Sequence, residues 1–516
     1  MVTFSGVLDT AVKKINTLLE QKWIVAGVLI FLFALTVVLR LYKLDNPVAD
    51  WHSWRQADTA AVIRNFVKEG YTPLFPKFDS LNSLNEGNLP NPNRYFFAEF
   101  PIYNSIVYIF YLLFGVNEVY ARLVSIFFAS LTTVFLYLLT RKFSSNTVAL
   151  LAAVFFALMP YNIYYGRVIM PDPLHIFFSV VTLYLVAQWA ERKTMLWAVL
   201  AGLTTAGMIL TKPYGLVLGL PILYLLWRGY GWKLIQQPSL YVYGALALVP
   251  FALWRWHIHQ YPEGMFGTAW LFNQGNIRFT GAYFRWLIFD RMNRLMFATG
   301  GFVLFWLGLM KGYTKREGLF YFIWLGSVLL FFVVIAKGNV THDYYQMPLV
   351  PIGCILMARG VVFLLEYGKG EFTRLVNTGI AGVLVLIMLA FGWYEARAFF
   401  NINRPEIVEA GRFIDQNLPA DARVIAPYSS DPAFLYQTNR YGWTIGGGQI
   451  QTFIEKEGAT HLAIVNFDQD EQLWLERCPV VGQSKGRWAV LDLRQCVPKQ
   501  VEATDEVDLI EVPDQQ

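Results

Sequence analysis

Apolar residues along this chain come in unbroken stretches, not in stripes. Runs with few or no charges lie near 23–39, 101–115, 119–140, 146–165, 173–190, 195–211, 213–227, 239–254, 295–310, 318–336, 344–365 and 375–394. An amphipathic helix of a water-soluble domain interposes polar positions every turn, and a half-buried strand alternates. These runs do neither. Most are about 15 to 20 residues long, near the length a helix needs to cross a hydrocarbon layer of roughly 30 Å. They predict a polytopic α-helical membrane protein.

The loops set the count and the direction. The run from Pro101 to Val116 opens with proline and is followed by Asn117, Glu118 and Arg122 without a cluster of cations. A segment of that length reads as interfacial or re-entrant. Omitting it leaves about eleven spans and places Arg141/Lys142, Arg192/Lys193, Arg228/Lys233, Lys311/Lys315/Arg316 and Lys369/Arg374 on the side of the basic N-terminus, in accord with the positive-inside bias. Counting it would turn every later loop round. The segments 43–100 and 257–294, the turns 166–173 and 337–345, and everything after about 396 then face outward.

The predicted organisation is a cytoplasmic N-terminus over 1–22, a transmembrane domain over 23–400 with its first outward loop at 43–100, and a soluble non-cytoplasmic α/β domain over 401–500. Residues 501–516 are acidic and lack a packed pattern, which predicts disorder. Within 401–500 the pattern predicts a helix over 405–418 and strands over 423–426, 461–465 and 488–493. Lys13, Lys14 and Lys22 precede the run Trp23–Leu39, and no small-residue cleavage site follows it, so it reads as a retained span.

Composition agrees with lipid: 15% of residues are charged, where a soluble domain carries about a quarter. The net charge of +5 does not point to nucleic acid, because the cations sit in short loops as topology signals. The partner it implies is the bilayer. Cys354 is in an apolar run; Cys478 and Cys496 lie in the soluble part and can pair if that part faces an oxidising compartment. The chain contains no P-loop, HExxH or GxSxG motif, and no internal repeat of the kind that marks solenoids.

Chemistry concentrates in the outward loops. The first carries D-W-H-S-W-R-Q-A-D from Asp50 to Asp58; on a helix, Arg55 and Asp58 are three apart and share a face, either as a solvated ion pair or as part of a site. Arg94, Glu99 and Pro101 close that loop at the membrane edge. The turn Y-G-R-V-I-M-P-D-P-L-H, Tyr165 to His175, places Asp172 at a helix entrance, where a capping role would suffice to explain it. The turn K-G-N-V-T-H-D-Y-Y-Q-M-P-L-V-P, Lys337 to Pro351, gathers His342, Asp343, Tyr344 and Tyr345, and tyrosines there also serve as interfacial anchors.

Taken in order, W-R-Q-A-D, R-Y-F-F-A-E-F-P, R-V-I-M-P-D-P-L and H-D-Y-Y-Q-M-P-L-V-P resemble the dolichyl-phosphate-mannose protein mannosyltransferases and aminoarabinose transferases of the C-type glycosyltransferase superfamily, over roughly residues 20–400. The resemblance implies a transferase that moves a sugar from a polyprenyl-phosphate donor to a lipid, glycan or protein acceptor on the outer, periplasmic face of the plasma (inner) membrane. It places a first-loop acid, often an Asp-Glu pair, where this chain has His52 and Ser53. Asp50 and Asp58 are then the substitute acids, with Asp58 preferred as base because it lies within W-R-Q-A-D, and His52 stands with them among the catalytic candidates. Glu99 matches an acid that some relatives follow with lysine, here Phe100, and Asp172 matches the second-loop acid. Arg55, Lys212, Lys337 and His342 are candidates for the phosphate, and Tyr344 and Tyr345 for flanking the lipid. Some relatives carry a divalent metal, for which Glu99 and His257 supply ligand types. A transporter or flippase of a lipid-linked or small polar solute is the competing reading; it expects ionisable residues at the bilayer midplane, whereas the carboxylates here collect at one face.

Overall fold

The structure, a computed structural model, describes residues 4–497 apart from Glu86 and Lys369. Lys369 and the tail at 501–516, read as disordered, lie outside the described residues. The chain divides into two compact units, 1–403 and 404–516.

The first unit is a bundle of apolar helices in which the expected runs reappear, several of them broken. Among the described residues five helices are long and apolar enough to cross a membrane, including Lys22–Arg40, Glu118–Phe143, Asp172–Arg192 and Leu349–Glu366. The bent pair Gly281–Met296 and Gly300–Met310, turning through 111°, makes a sixth if counted as one span, and Asn146–Leu158, Met195–Thr211 and Phe320–Val334 are shorter apolar helices. Length and apolarity alone therefore do not reach the predicted count of about eleven. The breaks have local causes. Pro160 opens a new helix after Met159, splitting the run 146–165, and Ala298 and Thr299 take positive φ at the 111° bend. Gly300, Gly308 and Gly360 let helix backbones meet, since an added Cβ would lie within about 2 Å of the carbonyl oxygens of Leu384, Leu356 and Leu304 respectively.

Helix Glu118–Phe143 has 26 residues and so runs about 39 Å. Near its start, Arg122 donates to the carbonyls of Leu44 and Asn46. At its far end, Arg316 donates to the carbonyls of Arg141 and Lys142, Lys142 pairs with Glu191, and Arg228 donates to the carbonyls of Lys315 and Arg316. The basic loops thus meet one another at one end of the bundle, the grouping that the charge pattern predicts. Helix Ile102–Phe114, only 13 residues, stays at the other end: Asn104 donates to the Thr59 carbonyl, Tyr108 stacks on Tyr71, and Phe114 packs on Tyr120.

The second unit holds helix Pro405–Asn417 and a five-stranded sheet of β1 (Arg423–Ile425), β2 (Tyr441–Trp443), β3 (His461–Ile464), β4 (Val480–Ser484) and β5 (Trp488–Asp492) in the order β2-β1-β3-β5-β4. β1 is parallel to β2 and β3, with Val424 opposite Gly442 and His461; β5 is antiparallel to β3 and β4. Cys478 and Cys496 are disulfide-bonded, whereas Cys354 is a buried free thiol.

Candidate active site

The first loop folds as helix Ser53–Glu69, and it is buried on almost every side from Ser53 to Phe66 in spite of its polar sequence. Ala57, Ala60 and Ala61 admit close neighbours, so each polar side chain must find a partner inside. Arg64 meets Asp79 at 2.5 Å, and Asn65 donates to the same carboxylate at 3.0 Å. Arg55 meets both oxygens of Glu99, at 2.5 and 2.7 Å, and lies over the Phe96 ring. Burial alone would lower the Arg55 pKa; the carboxylate charges, that of Glu99 first and then those of Asp58 and Asp172, outweigh it and raise it.

Arg55 and Asp58 open together into a cavity of about 540 Å³, whose polar lining also includes Glu99, Lys212, Arg255, His342, Tyr344 and Tyr345. Trp54, Phe96, Phe97, Trp270 and Tyr214 supply much of the rest. Lys212 caps helix Met195–Thr211 and reaches to 3.4 Å from Asp172, which is 1% exposed and also accepts from the Tyr214 hydroxyl. One wall is aromatic: the His342 ring stands 5.2 Å from Trp54, 5.7 Å from Trp270 and 5.5 Å from Tyr344, and Tyr344 stacks on Tyr345 at 4.9 Å. Burial first, then nearby cations, push the His342 imidazole down to about 4, so at neutral pH it offers a hydrogen bond and a ring face rather than a cation. Burial likewise holds Tyr344 as a phenol.

The arrangement brings together Arg55, Asp58, Glu99, Lys212, His342, Tyr344 and Tyr345 of the residues singled out from sequence, with Asp172 behind Lys212. Four others lie outside the lining. Asp50 is ion-paired with Arg167 at 2.8 Å and accepts from Gln56 at 2.7 Å, joining the first loop to the R-V-I-M-P-D turn. His52 meets Asp343. Lys337 lies on helix Ala336–Thr341. His257 Nε2 bonds the Leu74 carbonyl at 2.9 Å with its ring against Trp254, while Glu99 holds Arg55. Among the described residues no group of three or more His, Cys, Asp or Glu side chains is placed to hold a metal. Sequence reasoning passed over Arg255, Trp54 and Trp270, although Arg255 shares its helix end with His257, and it left Asp343 inside its cluster without a role.

Residues 99–256 match the family model described as dolichyl-phosphate-mannose-protein mannosyltransferase. A protein of Aquifex aeolicus described as uncharacterized is 27% identical over 286 residues, which span 55% of this chain and 63% of the relative. ArnT from Cupriavidus metallidurans, solved bound to undecaprenyl phosphate, superposes with a TM-score of 0.62 at 15% identity, covering 92% of this chain and 99% of that one. AglB from Archaeoglobus fulgidus, an archaeal oligosaccharyltransferase solved with an inhibitory peptide and a dolichol-phosphate, superposes at 0.54 with 11% identity, covering 86% and 69%. At these identities the superpositions establish the fold. The chain is thus similar to the mannosyltransferase family model over residues 99–256 and shares the ArnT fold over most of its length.

Proposed function

We propose that the cavity is the active site of a membrane glycosyltransferase that moves a sugar from a polyprenyl-phosphate donor to an acceptor on the non-cytoplasmic face of the plasma membrane. The observation that carries this is one chamber holding two carboxylates, Asp58 and Glu99, with three cations, Arg55, Lys212 and Arg255, beside an aromatic wall. A lipid phosphate needs the cations and a sugar ring suits the wall. The undecaprenyl phosphate bound to ArnT and the dolichol-phosphate bound to AglB support the same donor chemistry.

Asp58 is the proposed general base, because it lines the chamber within one helical turn of Arg55. It takes the acceptor hydroxyl proton as that oxygen bonds to the anomeric carbon from the face opposite the phosphate. The bond from that carbon to the phosphate oxygen breaks, its electron pair leaves with the polyprenyl phosphate, and the anomeric centre inverts. A positioned base contributes about 10²–10⁴-fold to such a step. Arg55 and Lys212 stabilise the charge that grows on the departing phosphate, Glu99 and Asp172 hold these two cations in place, and Tyr344 and Tyr345 flank the donor.

The test is a transfer assay with purified protein and a panel of polyprenyl-phosphate sugars, beside mass spectrometry of surface glycans from a deletion strain. Release of polyprenyl phosphate with a glycosylated product supports the reading; donor moved across vesicles without cleavage would establish the transporter or flippase instead.

A further inference from the structure

His52 stands where the first loop turns into helix Ser53–Glu69, with a φ of 53°, a left-handed conformation uncommon for a residue bearing a side chain. Both of its ring nitrogens have partners. Nε2 meets Asp343 Oδ1, an oxygen that also accepts from the Tyr165 hydroxyl at 2.5 Å, while Asp343 Oδ2 accepts from Trp51 Nε1 at 3.1 Å. Nδ1 meets Trp54 Nε1 at 3.2 Å. An indole nitrogen can only donate, so Nδ1 must present its lone pair, which leaves the ring proton on Nε2, directed at the carboxylate. The ring is absent from the cavity lining, but Trp54, two residues along the chain, is part of it.

We infer that His52 is a positioning residue, an imidazole carrying its proton on Nε2 that ties the first-loop helix to the His342–Tyr345 segment and orients the Trp54 indole as the face against which the donor sugar lies. The clamp spans the two sides of the cavity. Asp343 is anchored on the far side by Tyr165, with the Tyr161 hydroxyl on its backbone carbonyl at 2.6 Å, and His52 relays that fixed point to Trp54. With each nitrogen occupied and the ring outside the chamber, His52 does not reach an acceptor hydroxyl, so it acts through Trp54 and not as a base. Its place in the chain is where related transferases carry an acid, and here the site keeps the position for geometry.

The kinetic consequence rests on the glycosyl-transfer reading; the proton placement does not, and the test separates them. With ¹⁵N-histidine label in the full-length protein in lipid nanodiscs, the His52 signal, identified by its loss in His52→Gln, is expected to show the Nε2-protonated tautomer at neutral pH. Trp54→Phe keeps a ring but removes the indole donor, and should move the Nδ1 shift of His52 to that of a nitrogen without a donor while Nε2, still facing Asp343, keeps its proton. In the transfer assay the same variant should raise KM for the donor by about two- to tenfold, the worth of one hydrogen bond, with kcat near that of the parent. His52→Gln, which keeps a donor for Asp343, should retain more activity than His52→Ala. A wild-type His52 signal showing Nδ1 protonated, or a Trp54→Phe variant with unchanged Nδ1 shift and KM, would overturn the inference. If His52→Ala does not fold, Trp54→Phe still decides. If no donor is turned over, the transferase reading fails while the tautomer still decides whether the clamp exists.

Discussion

Replacing Glu99 by alanine removes the only carboxylate that Arg55 holds by two hydrogen bonds, and the cost follows from where the pair lies. Both side chains are 6% exposed, the contacts are 2.5 and 2.7 Å, and Phe96 covers the guanidinium. An exposed ion pair is worth about 0–1 kcal/mol. Removing one partner of a buried pair strands the other charge and costs about 3–5 kcal/mol. The higher figure applies here, because both partners are buried and Phe96 covers the guanidinium. Equilibrium unfolding in mixed micelles should therefore place Glu99→Ala about 3–5 kcal/mol below the parent. The double variant Arg55→Met with Glu99→Leu, which removes both charges, should recover at least half of that loss, the non-additivity expected of contacting residues. A Glu99→Ala cost under about 1 kcal/mol, with additive effects in the double variant, would show that the pair behaves as a surface pair and that the cavity floor is open to water.

Two further outcomes follow from neighbouring groups. Asp172→Asn leaves Lys212, 8% exposed, without its counter-charge; transfer should fall by about tenfold or more through misplacement of the ammonium, with Asp172→Glu retaining part of the activity. For pH, the folded His342 is held at about 4 against an ordinary 6.5, so between those values the unfolded chain binds a proton that the folded chain does not. Its contribution to stability is complete above about pH 6.5 and is lost as pH falls toward 4. Burial would raise Asp343, but hydrogen bonds from His52 and Tyr165 hold it below its ordinary 3.8, so its contribution has the same sign and is lost at still lower pH. Melting temperature should decline below pH 6.5, and His342→Phe should flatten that decline.

The helices were legible because covering a hydrocarbon layer demands long apolar runs, and the basic loops because their charge cannot be hidden. The breaks were not. Met159–Pro160 and the 111° bend at Ala298–Thr299 sit inside runs whose composition does not change. In the second unit, β2 is three residues with a glycine at its centre, and β4 is largely exposed and carries a bulge, so neither gave the alternation by which a strand is recognised. In the site, Arg55 and Asp58 could be placed on one face because helical spacing is local. Asp50 with Arg167 and His52 with Asp343 join residues 117 and 291 positions apart, and nothing short of the fold pairs them. The Asp-Glu pair that the resemblance implies falls on His52 and Ser53, and the structure gives His52 a partner in Asp343.

The account turns on Asp58 as the base. Single-turnover transfer from a polyprenyl-phosphate sugar, measured for Asp58→Asn beside the parent, tests this most directly, with donor binding and thermal unfolding recorded on the same preparations. The account predicts a rate lower by about 10²–10⁴-fold with donor affinity and melting temperature near those of the parent; transfer at the parental rate would contradict it.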